Sequence, residues 1–290
     1  MKKILLVASI TLSINGFAQK VNGQLAFPKG QKLELITETK KTSTMEMMGQ
    51  SMESTVNSTM TEVYDIEDAG ANGATIEHKV KRLVFTANGM GNSQSFDSEK
   101  EEDRKGEMGK MLEKGLKNKY KMTIDASGKI VTVKVDDDNP NATKNGESDA
   151  MAGLVSSQLG LNLGLPKPGD VSIFKILPNR EVAQGDTWID TSSSNGQKRT
   201  TVYKVNSITA SDVLLDYTED ININTTQQIM GQDASIKADD KVTGQVTLDK
   251  NTRLLKRKTA TIDTKATMEA QGMSIPSTGK TTITVTLKAS

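Results

Sequence analysis

Ile236-Lys237-Ala238-Asp239-Asp240-Lys241-Val242-Thr243-Gly244-Gln245-Val246-Thr247-Leu248 is the stretch that decides the fold class. Its even positions carry apolar or small residues, with Asp240 the one exception, and its odd positions carry Lys, Asp, Thr and Gln. A period of two over this length marks a strand with one buried and one wet face, and a wet face implies antiparallel pairing. The segment before it obeys the same rule, with Val213, Leu215, Tyr217, Ile221 and Ile223 on one phase and Asp216, Thr218, Asp220, Asn222 and Asn224 on the other. Met52, Val56, Met60, Tyr64 and Ile66 repeat it near the start, and Ile283, Val285 and Leu287 near the end. The 33 threonines fall mostly on the polar phases, where a β-branched hydroxyl residue suits a pleated surface. The expected fold is mainly β: a long antiparallel meander from two related strand modules, forming a curved sheet or half-barrels, with one or two short amphipathic helices on the concave face. A transmembrane barrel would need an outward apolar band and aromatic girdles, which ten aromatic residues and Thr/Lys/Glu outer faces do not supply.

Two segments break the alternation. Ser98-x-x-Glu101 reads as a capping box ahead of Met108, Met111, Leu112 and Leu116 at helical spacing, in a helix weakened by Gly106, Gly109 and Gly115. Ser148 is placed to cap a second helix with Met151, Leu154, Val155 and Leu159 on one face, stopped by the Gly160 to Gly164 stretch and by Pro166 and Pro168. Asp136-Asp137-Asp138-Asn139-Pro140-Asn141 between them reads as a polar loop.

An internal duplication organises the rest. Thr123-Ile124-Asp125-Ala126-Ser127-Gly128-Lys129-Ile130-Val131 matches Thr247-Leu248-Asp249-Lys250-Asn251-Thr252-Arg253-Leu254-Leu255. Upstream, Thr61-Glu62-Val63-Tyr64 matches Thr200-Thr201-Val202-Tyr203, and Gly30-Gln31-Lys32-Leu33 matches Gly185-Asp186-Thr187-Trp188. Three matches in one order imply a repeated strand module. The expected division is a signal peptide at 1–18, a first β module with its inserted helix at 19–140, a linker with the second helix and a connecting strand at 141–184, and a second β module at 185–290. Turns at Met48-Gly49 and Met90-Gly91 in the first half, and at Met230-Gly231 and Gly272-Met273 in the second, are spaced so that a meander puts both turns of each half at the same end of the sheet.

The chain has 290 residues, 37 Lys+Arg against 36 Asp+Glu, no Cys and one His. Disulfides, Cys-ligated zinc, iron–sulfur clusters and thiol nucleophiles are therefore excluded, and balanced charge argues against a nucleic-acid partner. Met1-Lys2-Lys3, the apolar run Ile4 to Ile14 and Gly16-Phe17-Ala18 have the three regions of a secretory signal in order, cleaved near Ala18. Its removal takes away Lys2 and Lys3 and turns the formal charge from +1 to −1. With no Cys after that run a lipid anchor there is not expected, and no later stretch spans a membrane as a helix. The expected location is the periplasm or the extracellular space.

The sharpest chemical feature is a methionine rim at the turns: Met45, Met47, Met48, Met52, Met90, Met230, Met268 and Met273. Flexible thioethers suit an adaptable apolar ligand or partner surface, soft sulfur suits Cu(I), and the plainest reading is gap-filling where hairpin ends pack. Neither a metal nor a cofactor is expected. His78, on the apolar phase of Ile76-x-His78-x-Val80 and aligned with Tyr217 in the second module, reads as a satisfied strand histidine. Trp188 reads as a strand-start anchor. Asp136–Asp138 lacks the spacing of a calcium loop, and no Gly-x-Ser-x-Gly elbow accompanies the serines.

Phe17-Ala18-Gln19, Met47 to Ser51, Gly185-Asp186-Thr187-Trp188 and Thr123 to Gly128 together resemble an uncharacterised family of exported proteins from Gram-negative bacteria of the Bacteroidota type. The resemblance implies export and a β-rich repeat fold; it brings no activity and no site residues. The functional expectation is a non-enzymatic binding module for an apolar small molecule, a lipid or a cell-envelope protein. The alternative is a structural or interaction protein without a pocket.

Overall fold

The computed structural model describes residues 19–47, 49–89, 91–135, 159, 163–194, 196–229, 232–270 and 272–289. The expected signal peptide, the Asp136–Asp138 run, Met48, Met90 and Met230, and all of the expected second helix except Leu159, lie outside these residues.

The first half of the chain runs through β1 (Lys20–Val21), β2 (Lys32–Met47), β3 (Gln50–Gly70), β4 (Gly73–Gly89), β5 (Asn92–Asp97), α1 (Glu101–Lys105), α2 (Glu107–Leu116), β6 (Lys119–Asp125) and β7 (Ile130–Val135). The second half runs through β8 (Val182–Ala183), β9 (Thr187–Ser194), β10 (Gln197–Ile208), β11 (Asp212–Ile229), β12 (Gln232–Asp249), β13 (Leu255–Ala270) and β14 (Met273–Ala289). Twelve strands make one open antiparallel sheet in the order β7-β6-β4-β3-β2-β14-β13-β12-β11-β10-β9, with β5 beside the far half of β4, while β1 and β8 pair apart. The mainly antiparallel meander read from the period-two pattern is the architecture observed. Of a curved sheet and half-barrels, the pairing of β14 with β2, from Ser277↔Met45 to Ala289↔Leu33, selects one continuous sheet.

Register places the matched sequence segments in matching rows. Leu33 lies opposite Tyr64, Tyr64 opposite His78, and His78 opposite Tyr120. Trp188 lies opposite Tyr203, Tyr203 opposite Tyr217, and Tyr217 opposite Gly244. Both Thr-Ile/Leu-Asp units are hairpin turns clamped by their aspartate. Asp125 Oδ1 accepts from Ser127 Oγ at 2.6 Å and from the Lys129 amide at 2.9 Å. Asp249 Oδ1 accepts from the Asn251 and Thr252 amides at 2.9 and 2.8 Å. Strands up to 21 residues long are relieved by bulges at Glu62, Asp68, Ser207 and Leu248.

The sheet curls strongly. The turns holding Ala126 and Thr252 are six strand positions apart in the sheet order, about 29 Å if it were flat. Yet their carbonyls accept hydrogen bonds from consecutive amides, Leu25 to Ala126 and Ala26 to Thr252, both at 3.0 Å. Residues 19–31 and 163–186 fill this curled end. Val21, Leu25, Phe174, Leu177 and Val182 are buried there in one cluster with Ile66, Ile76, Ile124, Val213, Leu215 and Leu248 from both halves of the sheet. Lys175 ties the two filling segments, donating to Gly23 O at 2.6 Å and to Asn179 Oδ1 at 2.7 Å. Residues 163–184, within the expected linker 141–184, contribute Phe174, Leu177 and Val182 to this cluster.

Helix α2 lies on the concave side, where Leu112, Met108 and Leu116 pack with Met60, Leu83, Phe85, Phe96 and Leu159. The expected capping box is not formed. Lys100 is the N-cap of α1 and makes no side-chain cap bond, and Ser98 Oγ accepts from the Leu83 amide of β4 at 2.9 Å. Strand β4 claims the serine because Arg82 binds Asp97 with a two-pronged pair at 3.1 and 2.7 Å, which fixes the end of β5 against it. That fork holds the Asp97 carboxyl at about 2, below the usual carboxylate range. The helix is broken at Gly106, in extended conformation, and Gly115 lets Leu163 approach so closely that a Cβ would lie 2.8 Å from it.

Gly244 is the second module's counterpart of Tyr120, and its bare Cα makes room for a ring. The Tyr217 hydroxyl crosses strand β12 there to donate to Thr259 O at 3.3 Å. A Cβ on Gly244 would lie 2.2 Å from Thr259 O and 2.5 Å from the Tyr217 ring. Gly244→Ala is expected to cost about 1–3 kcal/mol, because the ring or the strand must shift. Urea denaturation measures this, and an unchanged midpoint would refute it.

Candidate functional site

A cavity of about 610 Å³ lies inside the curl, walled by β2, β3, β4, β6 and β7 on one side and β10, β13 and β14 on the other. The end of α2 and residues 163–176 form its remaining wall. Tyr120 on β6 and Tyr203 on β10 both line it although eight strand positions separate them, so only the curl creates the site. Most of the lining is apolar: Leu35, Met60, Val80, Met122, Leu163, Leu165, Phe174, Ile176 and Val285. A few polar groups converge on it, the combination that small-molecule sites share.

On the first-module wall, Glu62 Oε1 accepts from His78 Nε2 at 2.9 Å and from the Tyr64 hydroxyl at 3.3 Å. The imidazole is stacked on Tyr120 at 4.4 Å and tilted against Tyr64 at 4.8 Å between ring centres. These contacts follow from strand register, which sets Tyr64, His78 and Tyr120 side by side on the inner face. Burial, reinforced by the Glu62 carboxylate, pushes the Tyr64 and Tyr120 hydroxyls well above the usual tyrosine range, so both remain neutral donors.

The second-module wall is cationic. Arg199 lies 3.4 Å from Glu219, which also accepts from Thr201 Oγ1 at 2.8 Å. Lys258 lines the cavity between Val246 and Val285, with its ammonium 4.8 Å from the centre of the Tyr217 ring. Loss of hydration lowers the Lys258 pKa from its ordinary value. Burial, with Asp190 and Glu219 nearby, pushes Tyr203 up to about 12.

Three lining residues also bury a polar atom with no hydrogen-bond partner among the described residues: His78 Nδ1, Asn118 Oδ1 and Ser172 Oγ. Unpaired buried polar atoms are rare; the other three among the described residues, Thr39 Oγ1, Trp188 Nε1 and Arg253 Nε, do not line the cavity. Among the described residues no group of three His, Asp or Glu side chains gathers closely enough to hold a metal ion.

The described methionines of the expected rim sit elsewhere. Met45, Met47, Met52, Met268 and Met273 share the inner face by register, with Met45 opposite Met52 and Met268 opposite Ile275. They lie toward the far ends of the strands, and none of them lines the cavity. Met45 is eight residues beyond Thr37, the last cavity residue of β2, a distance of about 27 Å along a strand. Met47 and Met273 are exposed. His78 is the buried strand histidine expected, but only one of its two nitrogens is satisfied. Trp188 stacks on Tyr203 at 5.0 Å, as an anchor at the start of β9. Sequence reasoning passed over Glu62, Arg199 and Lys258. The available signal was that each interrupts the apolar phase of its strand.

Fold and site define a mainly antiparallel β protein whose single curled sheet encloses a small-molecule-sized cavity. The chain belongs to the family of unknown function DUF6263, whose model matches residues 71–255. No curated protein matches it. Among solved structures, lipovitellin, determined for its lipid–protein interactions, is similar with a TM-score of 0.45 and 9% identity over 91% of this chain. This chain spans only 26% of the lipovitellin chain. An outer-membrane channel from Pseudomonas putida F1 gives a TM-score of 0.25 at 7% identity, covering 91% of this chain and 98% of the channel. OpdQ of Pseudomonas aeruginosa gives 0.24 at 7% identity, covering 89% and 99%. Scores this low transfer neither fold nor function.

Proposed function

We propose that the protein is an exported binding module that holds an apolar or amphiphilic small molecule inside its curled sheet. The observation that carries this reading is the 610 Å³ cavity with a mostly apolar lining and converging polar groups. Its size falls within the range of about 300–1,000 Å³ typical of ligand sites. The signal-like residues 1–18 support export to the periplasm or beyond, and the family resemblance implies a Gram-negative, Bacteroidota-type cell. A ligand with an apolar body is favoured over a protein partner because the lining faces inward, behind α2 and residues 163–176. The polar groups serve orientation in this reading, and no nucleophile–base pair enters it.

Native mass spectrometry of protein purified from its own cell envelope tests the proposal. The expected result is a co-purifying small molecule that is released on denaturation and displaced by a neutral apolar dye. Repeated recovery of the bare chain, together with no dye binding, would overturn it.

A further inference from the structure

Among the described residues, Lys258 is the cavity cation left with neither an anion nor a hydrogen-bond acceptor. Among the described residues, Arg199 has Glu219 at 3.4 Å, and the other cavity lysine, Lys175, is held by Gly23 O and Asn179. Lys258 makes no hydrogen bond and no ion pair; its one polar neighbour is the face of Tyr217. Its strand partners on the inner face are Val246 and Val285. Glu219 is close enough to be felt by Lys258 but is already engaged by Arg199 and Thr201. Lys258 is therefore the cation of this wall that no carboxylate contacts. Opposite it, Glu62 is engaged by His78 and Tyr64. Keeping an unpaired ammonium on an apolar strand face is costly, and the cost is removed when an anion enters with it.

We infer that the ligand is a singly charged acidic amphiphile whose carboxylate-type head pairs with Lys258 beside Tyr217, while its apolar tail lies along Met60, Val80 and Leu163. The inference rests on the binding reading above and adds head charge and orientation to it. Lys258 reaches the head from β13, and Met60, Val80 and Leu163 come from β3, β4 and the segment after α2. An acidic head at the opposite wall would meet Glu62 instead, which fixes the direction in which the amphiphile lies. Lys41 also projects from the inner face, but it does not line the cavity and has Asp240 as its electrostatic neighbour.

The test is displacement of a neutral fluorescent apolar dye at pH 7 by hexadecanoate, hexadecanol and hexadecylamine, using the full mature chain. Hexadecanoate is expected to displace at a concentration at least about tenfold lower than hexadecanol, the scale of one charge-assisted hydrogen bond, and hexadecylamine is expected to be the weakest. In Lys258→Met the acid-to-alcohol preference should fall to about one with hexadecanol unchanged, and Lys258→Arg should retain it. Equal displacement by acid and alcohol in the unaltered protein, or a preference that survives Lys258→Met, overturns the assignment while leaving the cavity reading intact. Failure of the dye and of all three amphiphiles to bind removes both. Thermal melting gives a readout independent of ligand: Lys258→Met is expected to melt higher than the unaltered protein, and a lower melting temperature would contradict an unpaired ammonium there.

Discussion

Replacing Phe174 with Ala is expected to lower the unfolding free energy by about 3–5 kcal/mol, the range for large aromatic truncations in a packed core. Phe174 is 1% exposed and carries the packing of the inner segment against the sheet. Its ring meets Phe27 edge-on at 5.4 Å and Tyr64 edge-on at 5.1 Å, joining both filling segments to β3. The truncation opens a void that neighbouring strands cannot close, because they are held by ladder bonds on both sides. Urea denaturation is the measurement, read as a lower midpoint at an unchanged slope. Ile173, its 50%-exposed neighbour, is the internal control: Ile173→Ala should stay within about 0.5 kcal/mol. Equal effects at the two positions would show that residues 163–186 are not an inner wall of the fold.

Glu62→Leu is the second large effect, a loss of about 3 kcal/mol, as expected when one member of a buried pair is removed. The leucine strands His78, whose other nitrogen already lacks a partner, and deprives the Tyr64 hydroxyl of its acceptor. Replacing both partners, Glu62→Leu with His78→Leu, should be less damaging than the single change, since an apolar pair leaves no orphaned imidazole. A double-mutant cycle by urea denaturation is expected to give a coupling of at least about 1.5 kcal/mol. Strict additivity of the two substitutions would refute the pairing. The two variants also separate roles at the cavity, because Glu62 lies on the wall opposite Lys258 and its loss should leave any preference for acidic ligands in place.

Much of the architecture was legible because it is local. The residues of Ile236 to Leu248 commit one phase to the core whatever the strand pairs with, since side chains alternate at every peptide. The same logic put Tyr64, Tyr217 and His78 on the inner face and located turns between the strands. The methionine rim drew attention for the same reason, being conspicuous in one dimension; its described members Met45, Met47, Met52, Met268 and Met273 do not line the cavity. Ser98 misled because a capping box and a strand-binding serine share one sequence, and only the Arg82–Asp97 fork decides between them. Residues 163–184, rich in Gly and Pro, carry no periodicity and so read as part of a linker.

The sequence alone determined that this chain makes long antiparallel ribbons with one wet face, repeated twice, with tyrosines in matching rows. Only the tertiary structure decided that the two halves form one sheet through β14 and β2, and that this sheet curls until Ala126 and Thr252 flank the same two residues. Curl is the sum of small twists over many strand pairs, and no single stretch of sequence records the total. The cavity is a product of that sum. Glu62, His78, Arg199 and Lys258 become one site because the curl closes around them.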